Sequence, residues 1–233
     1  HVTIVSATTL ARAFAINIGT CACPVASNST PNGRHNLSLT ACTSDVDFDA
    51  AVGNTTRLGI VSIVSAANVT VDSTLTAASL SQTAGTGTTT LSGAVNTNTA
   101  AGVSLTGTNL AVNAGITTTA DGTVTFNESG TVTIAAAGAI NADGAVSITG
   151  GGGISTAGNV TTTNDNVTFV SATTLAGAVA INTRTGARTV AFNSTLAGGQ
   201  NLTLTTRTGH LHLPPALGTT TPLHHASTPT APT

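Results

Sequence analysis

The chain has 233 residues, a formal net charge of −2, 6% charged side chains and 40% hydrophobic ones. An average domain carries roughly 25% charged residues, and disorder requires low hydrophobicity with high net charge; neither an ordinary globular surface nor an unfolded chain fits. Nucleic-acid binding needs clustered positive charge and gains nothing from arginines scattered over Arg12, Arg34, Arg57, Arg184, Arg188 and Arg207; no apolar run approaches the ~18–20 residues of a membrane span.

Lys, Met, Trp and Tyr are absent, while Thr numbers 50, Asn 18 and Gly 25. Small side chains spread evenly along the sequence suit a narrow core repeated many times. From the first residues onward the chain repeats itself. Residues 2–41 recur without a gap at 167–206, with 25 of 40 positions identical, the mark of a repeat architecture. The sequence reads as a window cut from a longer repeat protein.

Cys21, Cys23 and Cys42 fall in the first copy and face Gly186, Arg188 and Arg207 in the second. Cysteines missing from a sister copy are not a framework the fold requires. A Cys23–Cys42 or Cys21–Cys42 disulfide stays open for an exported protein. Next come Asp45, Asp47 and Asp49, alternating along one face. Three such carboxylates could hold Ca²⁺ or serve acid–base chemistry in a polysaccharide-cleaving β-helix, but the second copy lacks all three and a solvated face is the simpler reading.

Further along, apolar–small–apolar triplets recur at Val103-Ser-Leu105, Val124-Thr-Phe126, Val146-Ser-Ile148, Val167-Thr-Phe169 and Val190-Ala-Phe192. An interleaved set contains Val69-Thr-Val71, Leu110-Ala-Val112 and Val132-Thr-Ile134. Alternation with period two puts both apolar side chains on one face of a strand, and the Asn, Asp and Gly clusters between triplets are turn formers. No helical periodicity is visible. A strand-turn unit buries its apolar face only by stacking on its neighbours. The expected fold is therefore all-β: a right-handed parallel β-helix with coils of about 21–23 residues, eleven or so of them, in a rod on the order of 50 Å long. Val103, Val124, Val146 and Val167 should form one axial file, and Phe14, Phe48, Phe126, Phe169 and Phe192 should point inward. A tandem β-sandwich is the alternative.

Residues 1–213 are expected to be solenoid. Residues 214–233, rich in Pro and His, read as a degenerate repeat end, frayed where Pro removes ladder donors. His210 and His212 share a strand face and His224-His225 follow. The sister copy offers Asp at the first pair and no His at the second, so a metal site is not expected.

N-x-[ST] sequons at Asn28, Asn36, Asn54, Asn68, Asn127, Asn159, Asn166, Asn193 and Asn201 matter only in a eukaryotic secretory host. The 150–153 glycine run leads into Ile154-Ser-Thr and not into a Ca²⁺-binding Asp. No nucleophile elbow, phosphate loop or dinucleotide fingerprint occurs, and no catalytic, cofactor or metal residues are assigned. Thr runs at 88–90, 117–119 and 161–163 would suit ice only if Thr recurred at one place in every coil, and their wide, uneven spacing reads as a broken array.

The segment GTVTFNESGTVTIAAAGAINADGAVSITGGGGISTAGNVTTTNDNVTF, residues 122–169, resembles the β-strand repeats of large bacterial exoproteins of the filamentous-haemagglutinin and autotransporter-passenger type, and the likeness extends over most of residues 1–210. That resemblance implies an exported, extracellular or cell-surface stalk that works as an adhesin or structural element and performs no catalysis. The implied partners are glycans or other cell-surface molecules. End-to-end self-association is expected as well, because the ends of a solenoid expose unpaired strand edges. A polysaccharide-binding or -cleaving β-helix and an ice-binding solenoid are the alternatives.

Overall fold

The computed structural model describes residues 2–19, 23–184, 187–206, 209–213 and 225–227. Among them there is no helix, and every strand pair is parallel, which excludes the sandwich with its antiparallel hairpins. The chain winds as a solenoid with three strands per turn. Face 1 is a sheet of ten strands, from Val2–Ile4 through Val69–Val71 and Asn109–Val112 to Leu196–Ala197. Face 2 includes Val95–Thr97, Ile116–Thr118, Ile140–Ala142 and Val160–Thr162. Face 3 includes Val103–Gly107, Val124–Glu128, Val146–Gly150 and Val167–Phe169. The strand Leu75–Gln82 bends from face 2 into face 3 without a break.

Ten strands on face 1 bound nine turns, fewer than the eleven expected. The coils are unequal in length. On face 1 the shortest step pairs Ile154 with Thr173, and the three longest, equal to one another, pair Val2 with Val25, Val46 with Val69 and Thr173 with Leu196; on face 2 a longer step still pairs Ile116 with Ile140. The axial file is as expected: Val103 pairs with Val124, Val124 with Val146, Val146 with Val167 and Val167 with Val190. Each is fully buried. A second inward file holds Leu105, Phe126, Ile148, Phe169 and Phe192. The rings of Phe169 and Phe192 stack 4.8 Å apart at 9°, the rung spacing of a parallel sheet. Four of the five phenylalanines are buried as expected. Phe14 departs from this at 45% exposure. It stands in register with the inward Leu37, but among the described residues its strand is paired on that one side only.

Face 2 differs from the other two inside. Its second inward column is Ala77, Thr97, Thr118, Ala142 and Thr162, all buried. Thr118 and Thr162 turn their hydroxyls to the carbonyls of Gly122 and Asp165. The Thr97 and Thr183 hydroxyls have no hydrogen-bond partner among the described residues.

The two sequence copies do not occupy the same faces. Val2–Ile4 lies on face 1 and its counterpart Val167–Phe169 on face 3. Phe14–Asn17 lies on face 3 and Val179–Asn182 on face 2. Leu37–Thr40 and Asn201–Thr205 show the same shift. Along face 1, Gly153–Thr156 is seven turns on from Val2–Ile4, and Val167–Phe169 follows two faces later. The sequence repeat is therefore not a whole number of turns. The physical unit is the single strand-turn, and one apolar-x-apolar strand fits any of the three faces.

Residues 214–224 and 228–233, where fraying is expected, lie outside the described residues; His225–Ser227 pairs in parallel with Asn201–Thr203.

Candidate functional site

Outward side chains of each face line up in single file because the strands stack in register. On face 3, Ser38, Ser62, Ser81, Ser104, Thr125, Ser147 and Thr168 occupy successive coils. Face 2 carries Thr76, Asn96, Thr117, Asn141, Thr161, Asn182 and Thr205 in strict alternation. On face 1 the file is Asp47, Thr70, Thr90, Ala111, Thr133, Ser155 and Thr174. On faces 2 and 3 one hydroxyl or amide thus recurs about every 4.8 Å, whereas Asp47 and Ala111 interrupt the face 1 file. The Thr runs fall on different faces, Thr88–Thr90 on face 1 and Thr117–Thr118 and Thr161–Thr162 on face 2, and no face carries Thr in every coil, so the Thr array is broken as expected. What recurs is a hydroxyl or amide, concealed in the sequence by variable coil lengths and three separate faces. From face 3's Ser38 to Thr168 and along the face 2 file no residue of the file is itself charged, although the Arg57 guanidinium reaches Asn96 of face 2 from the neighbouring corner. Charges concentrate in the turns.

Asparagines hold the corners together. Asn36, Asn68, Asn109, Asn159 and Asn166 each accept, through Oδ1, the backbone N–H of Ile60, Thr88, Thr131, Ala180 and Thr189 in the next coil, at 2.8–2.9 Å. Four of the sequons therefore sit on side chains that already bridge coils. Asp45 makes the analogous bond, accepting from the Asn68 N–H at 3.0 Å and its Nδ2 at 2.9 Å.

Asp45, Asp47 and Asp49 do gather on and beside face 1, with Asp72 from the next coil. Burial pushes the Asp47 carboxyl above its ordinary range; a hydrogen bond from Thr70 opposes this, and Asp45, Asp49 and Asp72 add to the rise. No group of three or more His, Cys, Asp or Glu among the described residues is arranged to hold a metal ion. His210 and His212 are both exposed, and His212 stands in register with the outward Ala191. His224 lies outside the described residues, as does Cys21. Cys23 and Cys42 are half-buried free thiols.

Arg34 and Arg57 occupy the same corner of consecutive coils, between face 2 and face 3, where the Gly33 N–H donates to the Thr56 carbonyl. Arg12 stands at that corner of the first coil, where the Leu10 N–H donates to the Asn32 carbonyl. A groove of about 490 Å³ opens there, lined by Arg34, Thr55, Thr56, Arg57, Leu58, Gly59, Ala78 and Asn98. The Arg57 guanidinium is fixed by three uncharged acceptors: Ala77 O at 2.7 Å, Asn96 O at 2.9 Å and Asn96 Oδ1 at 2.5 Å. Burial lowers its pKa. The loop at the groove floor is pinned by the buried Asn32, whose Oδ1 accepts from the Thr55 and Thr56 N–H groups at 2.9 and 3.3 Å. Arg34 is exposed. Read along the sequence these arginines are scattered; a spacing of one coil brings them together.

The second inward file of face 3 has a polar interruption that the sequence did not flag. Gln82, between Ile63 and Leu105, is 4% exposed and accepts from Thr89 Oγ1 at 2.7 Å. Glu128 is 3% exposed and pairs with Gly107 on one side and Gly150 on the other. A methyl group on Gly107 would lie 2.9 Å from Glu128 Oε2 and 3.3 Å from Gln82 Nε2; the glycine makes room for both side chains. Glu128 Oε2 has no hydrogen-bond partner among the described residues, and burial lifts the carboxyl from 4.5 to about 7.

Comparison with protein-family models, with curated proteins and with solved structures found no match for this chain. No helix among the described residues is long and apolar enough to cross a membrane.

Proposed function

We propose that this chain is a segment of a rigid stalk in an exported, cell-surface or secreted repeat protein of the filamentous-haemagglutinin or autotransporter-passenger kind. It works by adhesion and performs no catalysis. The observation that carries the reading is the pair of uncharged outward files, on face 3 from Ser38 to Thr168 and on face 2 from Thr117 to Thr205, where a hydroxyl or amide recurs at one fixed place per coil. Such a surface repeats along its axis, as an extended neutral polysaccharide does, and many weak hydrogen bonds then add through a common register. The experiment is retention on immobilised neutral glucan and chitin, with assay of the polymer for released reducing or unsaturated ends. Binding without new ends, weakened by the paired change S104D/T125D on face 3, is the expected result. New ends would replace the adhesive reading with an enzymatic one.

Ice binding draws on the same files, since hydroxyls recur in every coil of face 3 from Ser38 to Thr168. Thermal hysteresis or shaped crystals would favour it, and a freezing point equal to that of a matched inert protein would remove it.

A further inference from the structure

We propose that the groove at the corner between faces 2 and 3 binds the anionic groups of an acidic polysaccharide, carboxylate or sulfate. The inference rests on the adhesive reading only in taking a saccharide as the carrier of the anion. It stands on four features of the groove.

First, the lining contains two guanidiniums and no carboxylate. This is unusual placement in a chain with only six basic residues against eight acidic ones. Second, Arg57 is held by two carbonyls and an amide oxygen, so its positive charge is positioned without being neutralised. Two of its N–H groups, the one on Nε and one on Nη2, are not used by those bonds. A planar guanidinium presents its donors as a fork that matches a carboxylate or a sulfate, and a fork already fixed loses little freedom on binding. Third, the lining residues come from four successive coils, at Arg34, 55–59, Ala78 and Asn98. The groove therefore runs along the axis for about 14 Å, and its volume lies within the ordinary range of ligand sites. The hydroxyls of Thr55 and Thr56 and the amide of Asn98 are placed along it to meet sugar hydroxyls. Fourth, Asn32 pins the Thr55–Thr56 backbone, so the floor exists before a ligand arrives.

The acids of these coils lie elsewhere. Asp45, Asp47, Asp49 and Asp72 are grouped on and beside face 1, and in a three-sided coil the corner between faces 2 and 3 is opposite face 1. A polyanion approaching the groove is not repelled by them, and Arg12 extends the positive run by one coil. The same segregation would let the acidic face of a second copy dock at this corner, and the test separates the two partners.

The test measures binding of the full chain to polygalacturonate, dextran sulfate and neutral dextran, with Arg34→Gln and, as control, Arg188→Gln. Arg34 is exposed, and its loss leaves the hydrogen bonds of Arg57 intact. Arg188 lies outside the groove and donates its Nε–H to Asn164. At least one acidic polymer should bind about tenfold or more tighter than dextran. R34Q should lose about tenfold, the order expected for charge-assisted hydrogen bonds, and R188Q should stay within about twofold of the parent chain. Raising the salt should weaken acidic binding and spare the neutral kind. A preference for polygalacturonate assigns the anion as carboxylate, and one for dextran sulfate assigns it as sulfate. Equal affinity for dextran and the acidic polymers overturns the proposal, as does an unchanged R34Q. Self-association that R34Q abolishes, without acidic-polymer binding, also overturns it and identifies a second copy as the partner. Acidic-polymer binding that depends on Arg34, with no retention on glucan or chitin, sinks the face reading while leaving this one standing.

Discussion

Glu128 offers the sharpest energetic test. Its carboxyl is 3% exposed, Oε2 has no hydrogen-bond partner among the described residues, and burial raises the pKa from 4.5 to about 7. An acid whose folded pKa is raised binds its proton more tightly folded than unfolded. The linked stability is therefore fully present below pH 4.5 and declines as pH rises toward 7, levelling off above it. The interval from 4.5 to about 7 corresponds to about 3 kcal/mol. In a chain of this size that is on the order of 6–12 °C in melting temperature. Glu128→Gln keeps the shape and removes the ionisation. Thermal and urea unfolding of both proteins at pH 4.5, 6 and 8 should show near-equal stability at pH 4.5. At pH 8 the variant should be more stable by several degrees, and its profile should be flatter between the two. Parallel pH profiles for the two proteins would refute the assignment of a buried, unpaired carboxyl at this place.

Core, corner and end residues give further expectations. Phe169→Ala removes a fully buried ring stacked on Phe192 and should cost about 3–5 kcal/mol in denaturant unfolding, whereas Phe14→Ala in the open first coil should cost about 1 kcal/mol or less. Asn109→Ala deletes the acceptor for both the N–H and the hydroxyl of Thr131 and should cost about 1–2 kcal/mol, with faster amide exchange at Thr131. Gly102 has φ +54° and a carbonyl of Thr123 where a side chain would start, so Gly102→Ala should destabilise by more than about 1 kcal/mol. The first coil leaves Val2–Ile4 and Phe14–Asn17 paired on one side only; sedimentation should show reversible, concentration-dependent end-to-end association, and a monomer at millimolar concentration would contradict it.

Two of the three faces were legible in the sequence. Face 3 has Val, Leu, Ile or Phe at both inward positions of most coils, and face 1 shows the same in Val69-Thr-Val71 and Val132-Thr-Ile134, so period-two alternation reveals them. Face 2 was missed because its second inward column is Thr or Ala, as at Thr97, Thr118 and Ala142, and an apolar-polar-Thr triplet does not register as buried strand. Burial of these threonines depends on coils above and below, which a local pattern does not contain. The same holds for the outward files. Ser104, Thr125 and Ser147 are neighbours only once the unequal steps between their coils are known. The arginine groove needed one further step, the recognition that Arg34 and Arg57 differ by one coil. The coil-bridging role of Asn36, Asn68 and Asn109 also emerges only from register, because a turn-forming Asn looks alike whether it bonds its own loop or the next.

The stacked, three-faced column is tested most directly by a distance ruler on face 3. With Cys21, Cys23 and Cys42 replaced by Ser, spin labels on cysteines placed at Ser62 and, in turn, Ser147 and Thr168 lie four and five coils apart in one file. Electron–electron dipolar spectroscopy should return mean separations of about 19 and 24 Å, rising by about 4.8 Å per coil. Separations that fail to increase with coil number, or that coincide for the two pairs, would contradict the solenoid.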